Sequence, residues 1–185
     1  MKIMFDSSIH LGQFHLGDDH IRVAAKNSQV MISSKPATAI TGVEAFNENS
    51  YSDDIIWTLE REPQDCFYRF MDVYHSVKTI DRIPLNVKDA ESALVIQREL
   101  GLHMSNALTC AVAIANHCDE LHSIYAEFGR KDVIQHLQKQ HGIRVTLPST
   151  DKELSFPETG LEQFYVDALA TFRRWNAELT TAFHP

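Results

Sequence analysis

Short apolar runs separated by amphipathic stretches recur along this chain, and that alternation constrains its fold more than any single residue does. The first run, Met1-Lys2-Ile3-Met4-Phe5, stops on Asp6. A short apolar run bounded by polar residues reads as a buried strand, and residues 2–6 are expected to form one. Residues 18–28 have a helical pattern, and residues 29–34 read as a second strand before Lys35-Pro36 breaks the chain. Residues 38–48 read as a helix carrying Ile40, Val43, Glu44 and Phe46. Ser52-Asp53-Asp54 starts another helix that Pro63 should kink, and residues 76–80 read as a third strand.

The second half is more regular. Residues 86–100 place Val87, Ala90 and Leu94, with Ile96 and Leu100, on a core stripe, and Gly101 is a helix stop. Residues 106–117 are apolar on nearly all sides, which marks a central, buried helix. Residues 120–125 and 143–147 read as strands four and five, with a helix at 130–140 that ends at Gly142. Helices alternating with short apolar strands imply a parallel sheet covered on both faces. The expected architecture is a three-layer α/β/α, Rossmann-like domain over residues 1–147, with a central parallel sheet of about five strands.

Residues 148–157 lie between two prolines and read as a linker. Thr159-Gly160-Leu161-Glu162 has the capping-box pattern, and the helix after it carries Phe164, Tyr165, Ala168, Leu169, Phe172 and Trp175 at helical spacing. Residues 148–185 are therefore a linker and a C-terminal helical extension. Its aromatic stripe either packs back on the α/β core or forms an oligomer interface, with packing inside the chain as the default.

Charge and composition exclude several classes. The net charge is −8, from 17 Lys+Arg against 25 Asp+Glu. That balance disfavours non-specific binding to phosphate backbones, although an acidic metal-binding pocket is compatible with it. No Gly-rich phosphate loop occurs, which counts against a nucleotide-binding protein. Cys66, Cys110 and Cys118 fit no metal spacing and read as small buried apolar groups in a reducing compartment. The 10 histidines are scattered without zinc-helix spacing. Neither a signal peptide nor a membrane-spanning run is visible, so the expected location is cytoplasmic and without membrane contact.

Asp6 alone has two readings. It can cap the next helix, since Asp is a good N-cap residue. It also stands at the carboxyl end of a strand, where ligands and metals bind in open α/β sheets. Three further patterns accompany it. Ile40-Thr41-Gly42-Val43-Glu44 brings a Glu, with Glu48 one helical turn on. The run from Gly101 through Asn106-Ala107-Leu108 leads into the alanine-rich helix. Cys118-Asp119-Glu120-Leu121-His122-Ser123-Ile124-Tyr125-Ala126-Glu127-Phe128 follows. In order and spacing these four patterns resemble the PIN-domain family of metal-dependent ribonucleases, over roughly residues 1–147.

The resemblance implies a PIN-like fold and a site for Mg²⁺ or Mn²⁺ built from Asp6, Glu44 and Asn106. Ser123 and Asp119 would support it. Such ions prefer oxygen ligands and can activate water for phosphodiester hydrolysis. The chain departs from the family pattern twice. Asn106 stands where an acid is usual, and Tyr125 where an acid or Asn is usual. Asp119 and Glu127 flank the altered strand as candidates to compensate, although their ordinary readings are a turn residue and a solvent-facing acid. Lys35, Arg82, Lys88, Arg130 and Lys131 fall near strand ends and could meet phosphates. The implied activity is an endoribonuclease acting on RNA, toxin-like, with an antitoxin-like protein partner or a second copy held through the C-terminal helix. A homodimer would suit that helix. The alternative is a catalytically degenerate PIN-like protein that works as an interaction module.

Overall fold

The computed structural model describes residues 1–12, 18–33, 38–42, 80–157 and 159–183. Within them a parallel sheet has the order β3-β2-β1-β4-β5. Its strands are β1 (Lys2–Phe5), β2 (Thr38–Gly42), β3 (Ile80–Ile83), β4 (Glu120–His122) and β5 (Arg144–Thr146). The helices are α1 (Ser7–Gly12), α2 (Asp19–Ser33), α3 (Val87–Leu100), α4 (Met104–Ala115), α5 (Lys131–His141) and α6 (Thr159–Phe183), with a 3₁₀ turn at Ala126–Gly129. Among these helices none is long and apolar enough to cross a membrane.

β1 is the middle strand. It pairs with β2 from Lys2 opposite Thr38 to Phe5 opposite Thr41. On its other edge Ile3 lies opposite Glu120 and Phe5 opposite His122. Strand side chains alternate between faces, and β1 uses this to join two cores. Met4 and Leu121 face a cluster built from α3, α4 and α5, with Ala93, Ile96, Cys110 and Leu137 among its members. Ile3 and Phe5 face the other way, against Ile9 of α1. Helices therefore cover both faces of the central strands. α4 can lie close to the sheet because its buried side chains, among them Ala107, Cys110, Ala111 and Ala113, are small.

Local chemistry sets the helix ends. Asn86 and Asp89 form a reciprocal capping box at the start of α3, each side chain accepting from the other's backbone at 3.1 Å. This explains why Asp89 is buried. Gly101 and Gly142 close α3 and α5 with φ of 61° and 72°, a left-handed conformation that glycine adopts without a Cβ penalty.

Polar side chains fasten α2 to the rest. His122 and Glu120 share a face of β4, with Nε2 and Oε2 3.0 Å apart. The other ring nitrogen, Nδ1, lies 2.5 Å from the Ser28 hydroxyl of α2. Glu120 also accepts from Arg144 and from Thr146, the latter at 3.2 Å. On the opposite side of α2, Lys26 Nζ pairs with Glu153 at 3.1 Å and Glu162 at 2.7 Å, and sits 4.4 Å from the Tyr165 ring centroid. Arg22 donates to Glu153 and to the Tyr165 hydroxyl, each at 3.2 Å or less. Asn27 holds the backbone of Ser149, Lys152 and Leu154. The segment after β5 and the start of α6 are thus bound to α2, and Tyr165 and Ala168 are buried.

Several expectations need correction. Residues 29–33 end helix α2 instead of forming a strand; Ser28 reaches His122 of β4 and Gln29 donates to the Ile9 carbonyl of α1, so tertiary contacts hold this stretch in the helix. Packing here overrides the β-like local pattern. Thr38–Gly42 is a strand, not the start of a helix. Its β-branched Thr38, Ile40 and Thr41 fit a strand placed between β1 and β3. β3 is Ile80–Ile83, of which only Ile80 falls in the expected strand 76–80; residues 76–79 lie outside the described residues. β4 ends at His122, three residues early. In α3 the buried face is Ala93, Ile96 and Leu100, whereas Val87 and Leu94 of the expected core stripe are exposed. The helix expected after Ser52 and its kink at Pro63 lie outside the described residues, as does Cys66.

Arg22 and Lys26 would be uncovered if the chain ended at Leu147. A chain truncated there is expected to unfold at a markedly lower temperature than the full protein, followed by circular dichroism. Asn86→Ala should cost only about 1 kcal/mol in urea denaturation, since it removes one capping interaction. An unchanged melting temperature for the truncated chain would contradict the role of these ion pairs.

Candidate functional site

From β1 the chain goes to β2 and β3 on one side, and then returns to β4 and β5 on the other. The carboxyl ends of β1 and β4 therefore flank the switch point of the sheet, the crevice where open α/β sheets bind ligands. Asp6 is the first residue after β1, and Ser123 the first after β4. Both are buried.

The two carboxylate oxygens of Asp6 have different surroundings. Oδ1 accepts from the Ser8 amide at 3.0 Å and the Ser8 hydroxyl at 2.5 Å, as an N-cap does for α1. Oδ2 is buried without a hydrogen-bond partner. Burial pushes the carboxyl up to about 6, and the Ser123 and Ser8 hydroxyls only partly offset this. The loops around Asp6 are laced together. Ser8 Oγ accepts from the Ile124 amide at 2.9 Å, the Ser7 and Tyr125 hydroxyls are 3.1 Å apart, and Ser123 Oγ accepts from the Tyr125 amide.

Asn106 lies in the first turn of α4, and its side chain is turned by one contact. Its amide nitrogen donates to Glu127 Oε2 at 2.7 Å. The His103 amide donates to the same oxygen at 3.1 Å. The Asn106 bond is the chief reason the Glu127 carboxyl sits below its ordinary pKa. Cys110 is one helical turn beyond Asn106 and is fully buried. Its thiol is pushed up to about 12 by burial and then by the charges of Asp6 and Glu127.

The structure thus brings Asp6, Ser123, Asn106 and Glu127 toward the switch point. Glu127 was expected to face solvent; it is half-buried and bonded. The signal that could have found it is the Asn at 106, an amide where a carboxylate needs a donor. Asp119 is not part of this group. It sits at the amino end of β4, exposed, and accepts from the Lys2 amide at 2.7 Å. Tyr125 is a hydroxyl partner of Ser7. Glu44 and its neighbour Glu48 lie outside the described residues, as does Lys35. Among the candidate phosphate contacts, Arg130 pairs with Asp132 at 2.6 Å and donates to the Leu100 carbonyl, while Lys88 and Lys131 are exposed. Among the described residues no three His, Cys, Asp or Glu side chains converge as a metal centre.

The raised pKa of Asp6 gives a stability test. Its folded value lies above the ordinary 3.8, so the stability that neutral Asp6 contributes is full below that value and is lost as pH rises through about 6. Asp6→Asn keeps an acceptor for Ser8 and has no charge to bury. In chelator-treated protein it should raise unfolding free energy near pH ~8 by up to about 3 kcal/mol, and change little near pH ~4. Urea denaturation at the two pH values checks this, and equal effects at both would overturn it.

The fold is similar to that of a chain in the crystal structure of VapBC2 from Rickettsia felis bound to a DNA fragment from their promoter, with a TM-score of 0.52 and 14% identity. The match covers 79% of this chain and 98% of that one. At this identity the likeness concerns fold alone, an α/β arrangement around a parallel sheet. No curated protein matches the sequence. A family model described as "Family of unknown function (DUF6190)" matches residues 1–174, and the chain belongs to that family.

Proposed function

We propose that this protein is a PIN-like, Mg²⁺- or Mn²⁺-dependent endoribonuclease that hydrolyses RNA phosphodiesters. The observation that carries this reading is Asp6 Oδ2, a buried carboxylate oxygen with no hydrogen-bond partner at the switch point of a parallel sheet. A buried charge without a partner is costly, and a divalent cation is a partner that fits an oxygen donor there. When bound, such an ion would supply Lewis acidity and an activated water. Asp6 would hold it, with Glu44 as the further acid implied by the family resemblance.

The chain's own residues supply the positioning. Ser8 fixes the carboxylate plane of Asp6 through two hydrogen bonds to Oδ1, which directs Oδ2 away from the cap. The Ser7–Tyr125 hydroxyl contact and the bond from the Ile124 amide to Ser8 Oγ hold the two strand-end loops against each other. Exposed Lys88 and Lys131 are available to phosphates as weak, screened contacts.

A second reading is a catalytically degenerate PIN-like protein that acts through a protein partner. It is favoured by Phe164 and Val166, which stand 40% and 48% exposed on α6 beside the buried Tyr165. Under the first reading too, an antitoxin-like partner or a second copy would dock here.

Full-length protein incubated with a mixed RNA pool and Mn²⁺ should cleave it, and chelation should stop the reaction. Asp6→Asn should lose cleavage by at least about a hundredfold while remaining folded. Wild-type protein that neither cleaves RNA nor binds Mn²⁺ at millimolar concentration would exclude the enzyme and favour the interaction module.

A further inference from the structure

We propose that Glu127 supplies the second carboxylate of the Asp6 cation site, and that Asn106 is the amide that positions Glu127 instead of a ligand; this rests on the metal-dependent reading above. Three observations converge on it. The first is the direction of the Asn106 side chain. Its amide nitrogen is committed to Glu127 Oε2 at 2.7 Å, a short hydrogen bond to a charged acceptor. The second is the unequal use of the Glu127 carboxylate. Both Asn106 and the His103 amide bond Oε2. Among the described residues Oε1 makes no hydrogen bond. The third is Asp6 Oδ2, buried and unpartnered at the end of the neighbouring strand.

The connections between the elements place these groups at one end of the sheet. Residues 7 and 8 are bonded to residues 124 and 125, so the turn that begins at Ala126 is tied to the loop that carries Asp6. Asn106 reaches Glu127 from α4, and Cys110 of the same helix face is buried against β1 and β4. The charges of Asp6 and Glu127 both act on the Cys110 thiol.

The arrangement also explains the pairing of residue types. An acid at position 106 would meet Glu127 as a like charge, whereas Asn meets it as a donor. Asn106 and Glu127 therefore read as one unit: the charge sits on the 3₁₀ turn and the amide on the helix.

The test is Mn²⁺ binding to the full-length protein by titration calorimetry and by the electron paramagnetic resonance of free Mn²⁺. RNA cleavage is measured in parallel, and far-ultraviolet circular dichroism checks folding. Glu127→Gln should weaken Mn²⁺ binding by at least about tenfold, as Asp6→Asn should. Asn106→Asp should not strengthen it. Asn106→Ala leaves the Glu127 charge in place and removes only its positioning bond, so it should weaken Mn²⁺ binding less than Glu127→Gln does, which keeps the proposal testable if Glu127→Gln folds poorly. Wild-type affinity in Glu127→Gln, or clearly tighter binding in Asn106→Asp alone, would overturn it, because either result makes position 106 the ligand. Cleavage by wild type that survives in Glu127→Gln would sink this inference and leave the nuclease reading intact. Glu127-dependent Mn²⁺ binding without cleavage would do the reverse. Absence of Mn²⁺ binding in the wild type would remove both.

Discussion

β1 is paired along both edges and buried on both faces, so nothing on it from Ile3 to Phe5 can be charged without a partner. The first place a carboxylate can stand is where the strand stops, and Asp6 stands there. The order of strands then makes that spot the switch point, because the chain builds outward from one edge of β1 and returns to the other. The position of the candidate site follows from these two facts before any side-chain chemistry is considered. The chemistry follows from a third: Oδ1 is consumed in capping α1, and Oδ2 has no hydrogen-bond partner among the described residues.

Among the described residues, charged and polar groups around α2 are satisfied in networks. His122 links Ser28 to Glu120, and Glu120 is shared with Arg144 and Thr146. Arg22 and Lys26 are covered by Glu153, Glu162 and Tyr165. A buried charge that loses one partner is strongly destabilising, even where the intact pair adds little. These networks hold α2 between the sheet and the C-terminal helix. Against that background of satisfied groups Asp6 Oδ2 is an exception, and exceptions of this kind concentrate at functional sites.

Much of the second half was legible in the sequence. The helices near residues 86–100, 106–117 and 130–140, and the strands beginning near 120 and 143, are governed by local signals: a capping box, two left-handed glycines and an apolar helix of small residues. The first half was misread where local and tertiary preferences conflict. Residues 29–33 have a strand-like run, yet their burial pattern belongs to a helix face. Thr38–Gly42 looked like the entrance to a helix, yet an open edge of β1 takes it as a strand. Hydrogen-bonding partners from distant parts of the chain decide such cases, and no window of neighbouring residues contains them.

The sequence by itself determined that short apolar strands must be shielded by helices in an α/β domain, and that Asp6 must stand at a strand end. Both follow from the cost of exposing apolar surface and of burying charge, which depend on residue type and local order alone. Only the tertiary structure decided that Asp119 lies at the opposite end of the strands from Asp6, and that Asn106 faces Glu127. It also assigned one oxygen of Asp6 to the helix cap and left the other bare. The placement of Asp119 depends on a contact between residues 117 positions apart, and that of Asn106 on one between α4 and the turn after β4, and both exist only in the folded chain.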